Sequence, residues 1–431
     1  MRSGYNYVLR YRVEVTCVSP LRTGGAARDP EQVLRRPDGT PYLQGSSLAG
    51  ALRDWREDET LFGSQDREGQ LIVSDLEFCP DASQGARPRL RIDGATGTGA
   101  DRAKFDVTAL LPGTRGVFTL VWQGEAPPEQ AMPVLESYLA ALHQGEIRLG
   151  AQKSNGFGQV RLSVWRRRYD LRDPEDRTAW LAALPGDETD KKDEQNEAVA
   201  LEGGAGGDMV TFRVTARLRH LLIKASAPAG VGQDKIDAPP MEENGTLLLP
   251  GSSIKGALRA HITEIAPFCL GPDWGRRLDG FFGRSSVKGP DGAGDNGIAG
   301  KARCSDGVFQ DAHSCTLHRI RINRISGGVM YKALFAEQPV TATVSWTITA
   351  PARAAAGCAL LLLALRDLGL GLYALGSGSS IGHGRAEWVH AEIDVPGRQT
   401  VTLDSRPHGV ALEDPEGVTQ GWLDACKEAE P

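Results

Sequence analysis

Cysteine is scarce in this chain, with seven residues in 431 and no regular spacing between them. This scarcity argues against a disulfide framework and favours the reducing environment of the cytoplasm. Long apolar runs are also missing, because the most apolar stretch, Cys358 to Leu365, is too short to cross a bilayer. The first residues alternate as a strand does and resemble no secretory signal. We therefore expect a cytoplasmic protein without a membrane partner.

An excess of positive charge is missing as well, since the net charge is -6 at pH 7. Nucleic-acid-binding proteins are usually basic, but local basic patches do the binding, and acidic segments elsewhere mask them in the sum. The spacing of a nucleotide-binding P-loop is absent, and no other cofactor fingerprint replaces it. An enzyme of small-molecule metabolism is therefore the least expected class, whereas a nucleic-acid partner remains open.

The sequence contains an internal duplication. Five short segments recur in the same order in the two halves of the chain, which is improbable as a coincidence. Such self-similarity predicts two structural units of one design. The recurring pairs are Gly39–Arg53 with Gly245–Arg259, Leu61–Gly63 with Phe281–Gly283, Ser74–Phe78 with Ser305–Phe309, Arg91–Gly97 with Arg321–Gly327, and Leu149–Val160 with Leu375–Ala386.

Composition divides the chain into a first copy at residues 1–168, a second copy at 209–395, and two remaining segments. Residues 169–208 are acidic and glycine-rich and predict a flexible linker, and residues 396–431 predict a peripheral C-terminal tail. Each copy has the hydrophobic pattern β-α-β-β-α-β, an α+β fold of ferredoxin-like (RRM-like) order. No RNP-type aromatic cluster occurs on a strand, so we do not expect bases to stack on the sheet.

The repeated Gly-Ser-Ser motif predicts the start of a helix, at Ser47 in the first copy and Ser253 in the second. The serines are expected to cap free backbone N–H groups, and a helix N-terminus of small residues also attracts anions. Plain helix capping is the alternative, but the recurrence beside a glycine-rich loop favours a phosphate contact. The residues expected to contact a phosphate here are Ser46, Ser47 and Arg53, and Ser252, Ser253, Lys255 and Arg259.

A glycine-rich loop recurs between the last helix and the last strand of each copy. Its glycines permit positive φ and let a phosphate or ribose approach the main chain, although helix-to-strand turns favour glycine in any case. The recurrence in both copies makes these loops candidates for phosphate or ribose binding. The donors expected to contact such a group are Lys153, Ser154 and Asn155, and Ser379, Ser380 and Arg385.

Taken in order, these motifs resemble the RAMP superfamily, nearly end to end in each copy. In particular, the fused pair resembles the double backbone subunits of type III-D-like CRISPR effector complexes. The resemblance implies tandem ferredoxin-like domains, each with a β-hairpin thumb, that bind a guide CRISPR RNA and its complementary target RNA. The helix-start and glycine-loop residues named above are then expected to contact RNA. It further implies the other subunits of a type III complex as partners: a large polymerase–cyclase subunit, other RAMP subunits and a small subunit.

By position, the resemblance places the two thumbs at Arg87–Thr114 and His318–Val340. Arg319, Arg321 and Arg324 supply basic residues in the second thumb, and its apolar residues are suited to wedge between bases. The first copy differs from the second, because it has Asp93 and Gly94 where the second has Asn323 and Arg324, and Ala49 where the second has Lys255. We therefore expect the first copy to hold the guide less tightly.

The resemblance also implies that an aspartate in the loop before the hairpin cleaves target RNA at sites six nucleotides apart. This residue is Asp29 in the first copy and Asp237 in the second, with Asp234 as an alternative; Asp38 lies in a turn and is expected to be structural. A carboxylate can orient a 2′-hydroxyl and a divalent ion. Neither loop offers an obvious cation, so we expect cleavage to need a divalent metal ion, with Mg2+ the expected one.

Two further patterns leave alternatives open. Cys269, Cys304, Cys315 and nearby histidines fall around one loop, but without a compact pair, so ordinary thiols are favoured over a structural zinc site. The basic segment Arg161–Tyr169 suits either RNA phosphates or a solvated strand end.

Two alternatives to a cleaving backbone subunit remain. One is a structural guide-RNA filament subunit without cleavage. The other is an endoribonuclease that processes repeat RNA, although none of the eight histidines occupies matching places in both copies.

Overall fold

The computed structural model describes residues 4–24, 33–92, 99–182, 196–201, 208–225, 228–230, 235–270, 273–284, 287–288, 294–295 and 297–427. By its internal contacts the chain divides into two compact units, one formed mostly by residues up to 207 and the other mostly by residues from 208 onward. None of the helices in the described ranges is both long enough and apolar enough to span a membrane.

An antiparallel sheet packed against helices forms the first unit. Its elements are β1 (Tyr7–Cys17), β2 (Tyr42–Leu43), α1 (Gly45–Trp55), α2 (Glu59–Phe62), β3 (Leu71–Val73), β4 (Leu76–Phe78), β5 (Gln84–Ile92), β6 (Gly99–Leu110), β7 (Arg115–Gly124), α3 (Ala131–Gln144), β8 (Val160–Asp170), α4 (Pro174–Ala182) and β9 (Glu197–Val199).

The central strand of this sheet is β1, which pairs antiparallel with β7 on one side and β8 on the other. The sheet order is β2-β4-β7-β1-β8-β9, and β5 and β6 form a separate hairpin. Leu9, Tyr11 and Val13 of β1 are fully buried in one cluster with Leu48 of α1 and Leu139 of α3. Alternating apolar residues therefore build this core, as the strand pattern predicts.

The second unit repeats this design with additions. Its elements are β10 (Met209–Leu221), β11 (Glu242–Glu243), β12 (Thr246–Leu247), α5 (Gly251–Cys269), α6 (Trp274–Phe282), β13 (Val287–Lys288), β14 (Gly294–Asp295), β15 (Arg303–Cys304), β16 (Val308–Ser314), β17 (Leu317–Ile322), β18 (Val329–Glu337), β19 (Val340–Pro351), α7 (Ala355–Gly369), β20 (Arg385–Asp394), β21 (Val401–Arg406), β22 (Gly409–Glu413) and α8 (Val418–Lys427).

The order of the second sheet is β15-β19-β10-β20-β21-β22, and β17 and β18 form a separate hairpin. Strand β10 occupies the place of β1, between β19 and β20 as β1 lies between β7 and β8. The predicted duplication is confirmed by these matching pairings. Both helices of the Gly-Ser-Ser motif begin two residues earlier than predicted, at Gly45 and Gly251.

Parts of the predicted linker and tail belong to the sheets. Strand β9 pairs with β8, and β21 and β22 extend the second sheet beyond β20. Val401, Leu403 and Trp422 are buried in the second core. Proline, glutamate and aspartate are frequent around the C-terminal strands, so composition alone indicated a tail. Linker residues Pro174–Ala182 form α4, and positions 183–195 and 202–207 lie outside the described residues.

Candidate nucleic-acid interface

An aspartate from a neighbouring strand connection holds the start of each Gly-Ser-Ser helix. The N–H of Gly45 donates to Asp75 Oδ1 at 2.8 Å, and the N–H of Gly251 donates to Asp306 Oδ1 at 2.7 Å. Neither helix has a side-chain cap on the residue before it, Gln44 or Pro250. The predicted capping by serine is therefore wrong. The carboxylate that accepts from the first N–H already stabilises the positive end of the helix dipole.

Glycine is required at both helix starts because the backbone approaches closely there. A Cβ at Gly251 would lie 2.5 Å from the carbonyl oxygen of Cys304, and one at Gly45 would lie 2.6 Å from that of Val73. The hydroxyls of Ser74 and Ser305 each accept a hydrogen bond from the sheet, from the N–H of Thr119 and of Thr347 respectively, at 2.9 Å. The Ser-Asp segment therefore recurs because it joins helix to sheet.

Gly251→Ala is expected to destabilise the protein by about 1–3 kcal/mol, because the added methyl group has no room against the carbonyl of Cys304. Gly256→Ala is the matched control in the same helix, where a Cβ meets nothing within 4 Å. That substitution is expected to stabilise by about 0.5–1 kcal/mol through helix propensity. Thermal unfolding of both variants checks the difference, and shifts of the same sign would contradict the close approach.

The serines after these glycines differ in solvent exposure between the two copies. Ser46 and Ser47 are exposed, and Ser252 and Ser253 are partly exposed. The arginine that ends each motif is paired: Arg53 with Glu57 at 3.2 Å, and Arg259 with Asp279 at 2.9 Å. Their predicted contacts with RNA remain predictions.

Lys255 lies in the core rather than on the surface. Its side chain is 6% exposed, and its Nζ donates to the carbonyl of Ala302 at 3.0 Å. Desolvation by burial lowers the pKa of Lys255 to about 8. A contact with a phosphate would require the ammonium to leave this position, so its placement favours a structural role.

The two glycine-rich loops have the predicted positive φ values. Each contains a short 3-10 turn, Lys153–Asn155 in the first and Ser379–Ile381 in the second. Gly158 (φ +81) and Gly384 (φ +68) cannot carry a side chain, because a Cβ would overlap the carbonyl oxygens of Leu149 and Leu375. Ser379, Ser380 and Arg385 are exposed, whereas Lys153, Ser154 and Asn155 are partly exposed.

Each hairpin is attached to its glycine-rich loop through the residue between the last two glycines. Arg87 and Arg89 of β5 lie over the ring of Phe157, at 5.3 and 5.2 Å from its centroid. In the second unit the corresponding residue is His383, whose Nε2 lies 2.8 Å from a guanidinium nitrogen of Arg319. This link was not predicted from the sequence, although the recurring Gly-x-Gly spacing marks the position.

Arg319 is engaged at the base of the second hairpin. Its guanidinium forms an ion pair with Glu337, which is 4% exposed. Burial is the main cause that lowers the pKa of His383, so the imidazole stays neutral and accepts from Arg319. Because it already has two partners, Arg319 fits an anchor of the hairpin better than a free phosphate contact.

The outer part of the second hairpin is exposed and both basic and apolar. Arg321 and Arg324 are exposed, and Ile325 and Tyr331 are 98% and 89% exposed. An exposed patch of large apolar residues rimmed by charge is typical of an interaction surface. The first hairpin exposes Leu90, Ile92 and Phe105 to about half of their surface. Asp93 and Gly94, on which the predicted difference between the thumbs rests, lie outside the described residues.

Asp237 is joined to the base of the second hairpin. Its Oδ1 lies 2.7 Å from Lys235 Nζ, and its Oδ2 accepts from the N–H of Ala336 at 3.0 Å. The hydrogen bond to Lys235, and then that to Ala336, hold the pKa of Asp237 below its usual range. The expectation that this loop lacks a cation is wrong, since Lys235 supplies one. Asp29 and Asp234 lie outside the described residues.

The remaining candidates have local roles in the described structure. The carboxylate of Asp38 accepts from the N–H of Thr40 at 2.9 Å, as expected for a turn. Arg166 pairs with Glu136 and Glu197, and Arg168 with Glu197 at 3.1 Å. These pairs favour a structural reading of the basic segment. No group of three or more His, Cys, Asp or Glu side chains is placed to hold a metal ion among the described residues.

A family model for the RAMP superfamily matches residues 14–161 and, separately, residues 229–387. The two matches together cover more than half of the chain and fall one in each copy. The chain belongs to the RAMP superfamily. Membership in the RAMP superfamily indicates a CRISPR-associated, RNA-binding role. No curated protein matches the sequence.

Proposed function

We propose that this RAMP protein is a tandem guide-RNA-binding backbone subunit of a type III, III-D-like, CRISPR effector complex. The observation that carries the proposal is the repeated arrangement of a helix start, a glycine-rich loop and a β-hairpin anchored on that loop. Guide RNA would run along the exposed serines and loop donors of each copy, and the hairpins would separate bases of the guide–target duplex. The other subunits of the complex are the proposed protein partners.

The sheet order supports a ferredoxin-like core in each copy. In the first copy β1 lies between β8 and β7, and in the second copy β10 lies between β20 and β19. Short strands pair along the outer side of β7 and of β19. This is the arrangement expected when β-α-β-β-α-β elements form one antiparallel sheet. The helices then cover one face of the sheet, and the hairpins leave it from the strand connections.

We propose that target RNA is cleaved at the loop aspartates, Asp29 and Asp237. Because Lys235 and the N–H of Ala336 keep Asp237 ionised at neutral pH, this carboxylate is a weak base. It is suited to accept a hydrogen bond from the 2′-hydroxyl and orient it toward the scissile phosphate. Lys235 is suited to stabilise the negative charge that develops on that phosphate.

The residues around Asp237 fit a divalent ion only in part. Mg2+ commonly binds one or two carboxylates and completes its shell with phosphate oxygens and water. Asp237 offers one carboxylate, already paired with Lys235, so the RNA itself would have to supply most ligands. When bound, Mg2+ would supply charge stabilisation at the scissile phosphate.

A non-catalytic filament subunit is the second candidate. It is favoured by the fact that both oxygens of Asp237 already have partners within the protein. In that reading the aspartate only attaches its loop to the hairpin.

Guide RNA binding is expected to weaken steeply with salt and to depend little on spacer sequence, because the contacts are to phosphates and sugars. For single-stranded RNA the logarithm of affinity should fall by about 0.7 per phosphate contact for each unit of log salt concentration. Filter binding of the purified protein to two guides of unrelated spacer sequence measures both properties. A flat salt dependence, or strong spacer preference, would contradict backbone binding.

A further inference from the structure

A basic cavity lies at one end of the second sheet, beside the glycine-rich loop of the second copy. Its volume is about 570 Å³, and three separate chain segments line it. The end of β10 contributes Arg219 and His220, and the start of β20 contributes Arg385. Arg406 comes from the end of β21, and His408 from the turn that follows it. One acidic residue, Glu387, is part of the lining.

The charge of this cavity is positive, although the whole chain carries -6 at pH 7. Arg219 pairs with Glu387 at 3.2 Å, and both side chains are largely exposed, so this pair holds them weakly. Among the described residues, no carboxylate pairs with Arg385 or Arg406, and both are exposed. Two guanidinium groups therefore remain available to an anion, with Arg219 beside them.

The backbone at the end of β10 is shaped to present these side chains. The pairing of β10 with β19 shifts register between Leu218 and Leu221. His220 has φ +49 in this irregularity, and its N–H donates to Thr341 Oγ1 at 3.1 Å. A bulge of this kind redirects the side chains on it, and positive φ in a non-glycine residue is a strained state that surrounding contacts must maintain.

The first copy lacks every cation of this cavity. The stretch of the first copy that corresponds to Arg219 and His220 is Val18–Leu21, because the N–H of Gly158 donates to the carbonyl of Pro20 as the N–H of Gly384 donates to that of Arg219. This stretch contains no basic residue. The position of Arg385, directly after the last loop glycine, holds Gln159.

The C-terminal strands account for the rest of the difference. Strand β9 takes the place of β21 at the edge of the first sheet, and no described residue of the first copy corresponds to Arg406 or His408. Within the described part of the chain, the cavity is therefore a feature of the second copy.

We infer that this cavity binds a phosphate group of single-stranded RNA, and that the C-terminal strands β21 and β22 are present in the second copy to complete it. Guanidinium groups bind phosphate oxygens in a bidentate manner, and three of them converge here. The cavity adjoins the glycine-rich loop through Gly382 and Arg385. It would therefore receive the phosphate next to those held by that loop, so the inference rests on the proposed function.

Arg406→Gln is expected to lower the salt dependence of guide binding by about 0.7 in the log–log slope, the contribution of one phosphate in single-stranded RNA. The double variant Arg385→Gln with Arg406→Gln is expected to lower it by about 1.4. Arg353→Gln is the matched control, since Arg353 is exposed and follows the end of β19 that pairs with Met209, at the opposite end of β10 from Arg219. The probe is a fluorescein-labelled single-stranded guide RNA.

Three other outcomes overturn the inference, and they are distinguishable. If the wild type binds with a steep slope and Arg406→Gln matches Arg353→Gln, the cavity does not bind RNA while the proposed function stands. If the wild type shows no salt-dependent binding, the proposed function fails and the inference with it. If the RNA slope is unchanged but AMP or inorganic phosphate binds the wild type and not Arg406→Gln, the ligand is a small phosphorylated molecule.

Discussion

Asp237→Ala is expected to remove one of two target-RNA cuts, with a loss of about 100- to 10,000-fold in its rate, while guide binding stays intact. Binding should survive because a carboxylate cannot anchor phosphate. Asp29→Ala is expected to remove the other cut, one six-nucleotide unit away. The measurement is to map 5′-labelled target fragments from the assembled complex with each variant.

Asp237→Asn separates catalysis from loop structure. Its amide oxygen can still accept the hydrogen bond that the N–H of Ala336 donates to Asp237, but the charge that Lys235 neutralises is gone. If this variant also loses its cut, the carboxylate acts on RNA; if it cuts as the wild type does, the residue only attaches its loop. Asp38→Ala, in an exposed turn, is the control and should change neither cut.

The same mapping tests the divalent ion and the scaffold alternative. We expect both cuts to stop with chelator and to return with Mg2+. Cuts that persist in chelator but are lost in Lys235→Gln would assign the charge stabilisation to Lys235 and reject the metal requirement. If Asp29→Ala and Asp237→Ala both retain every cut, the catalytic assignment is wrong and the non-catalytic filament subunit is the better description.

Stability is expected to rise with pH as Lys255 loses its proton. Its folded pKa of about 8 lies below the ordinary value of 10.5. Between these values the unfolded state therefore binds more protons than the folded state, and unfolding becomes less favourable as pH increases. The gain across the window amounts to about 3 kcal/mol. The full gain in the free energy of unfolding is present when the pH is above the unfolded pKa, and none of it is present when the pH is below the folded pKa.

Lys255→Met should lack this pH dependence and, at neutral pH, should be as stable as the wild type or more so, because no buried charge is left. Lys301→Met is the control, since Lys301 is exposed in the same unit. The measurement is urea unfolding of all three proteins at neutral pH and across the interval between the two pKa values. A difference between wild type and Lys255→Met that stays constant with pH would show that the ammonium is solvated.

The duplication and the central strands were predictable from the sequence alone. Both depend on local signals: segments that recur in order, and apolar residues that alternate along Tyr7–Cys17 and Met209–Leu221. The glycine-rich loops were predictable for the same reason, because turn residues at fixed spacing act within a few positions of the chain. The hairpins were placed only by the resemblance to the RAMP superfamily. The C-terminal strands were missed because they are short and the residues around them are rich in proline, glutamate and aspartate.

What each polar side chain contacts depended on the tertiary structure. Asp75 meets Gly45 across 30 positions, and Asp237 meets Ala336 across 99. Asp75 and Asp306, and not the serines that the local sequence suggested, therefore accept from the first N–H of each helix. Lys255 has the sequence context of a surface cation, but its side chain is buried and donates to the carbonyl of Ala302. Arg385 and Arg406 line one cavity only because β21 pairs with β20. Periodicity and turn chemistry act over a few residues, whereas burial and charge pairing depend on which distant segments the sheet brings together.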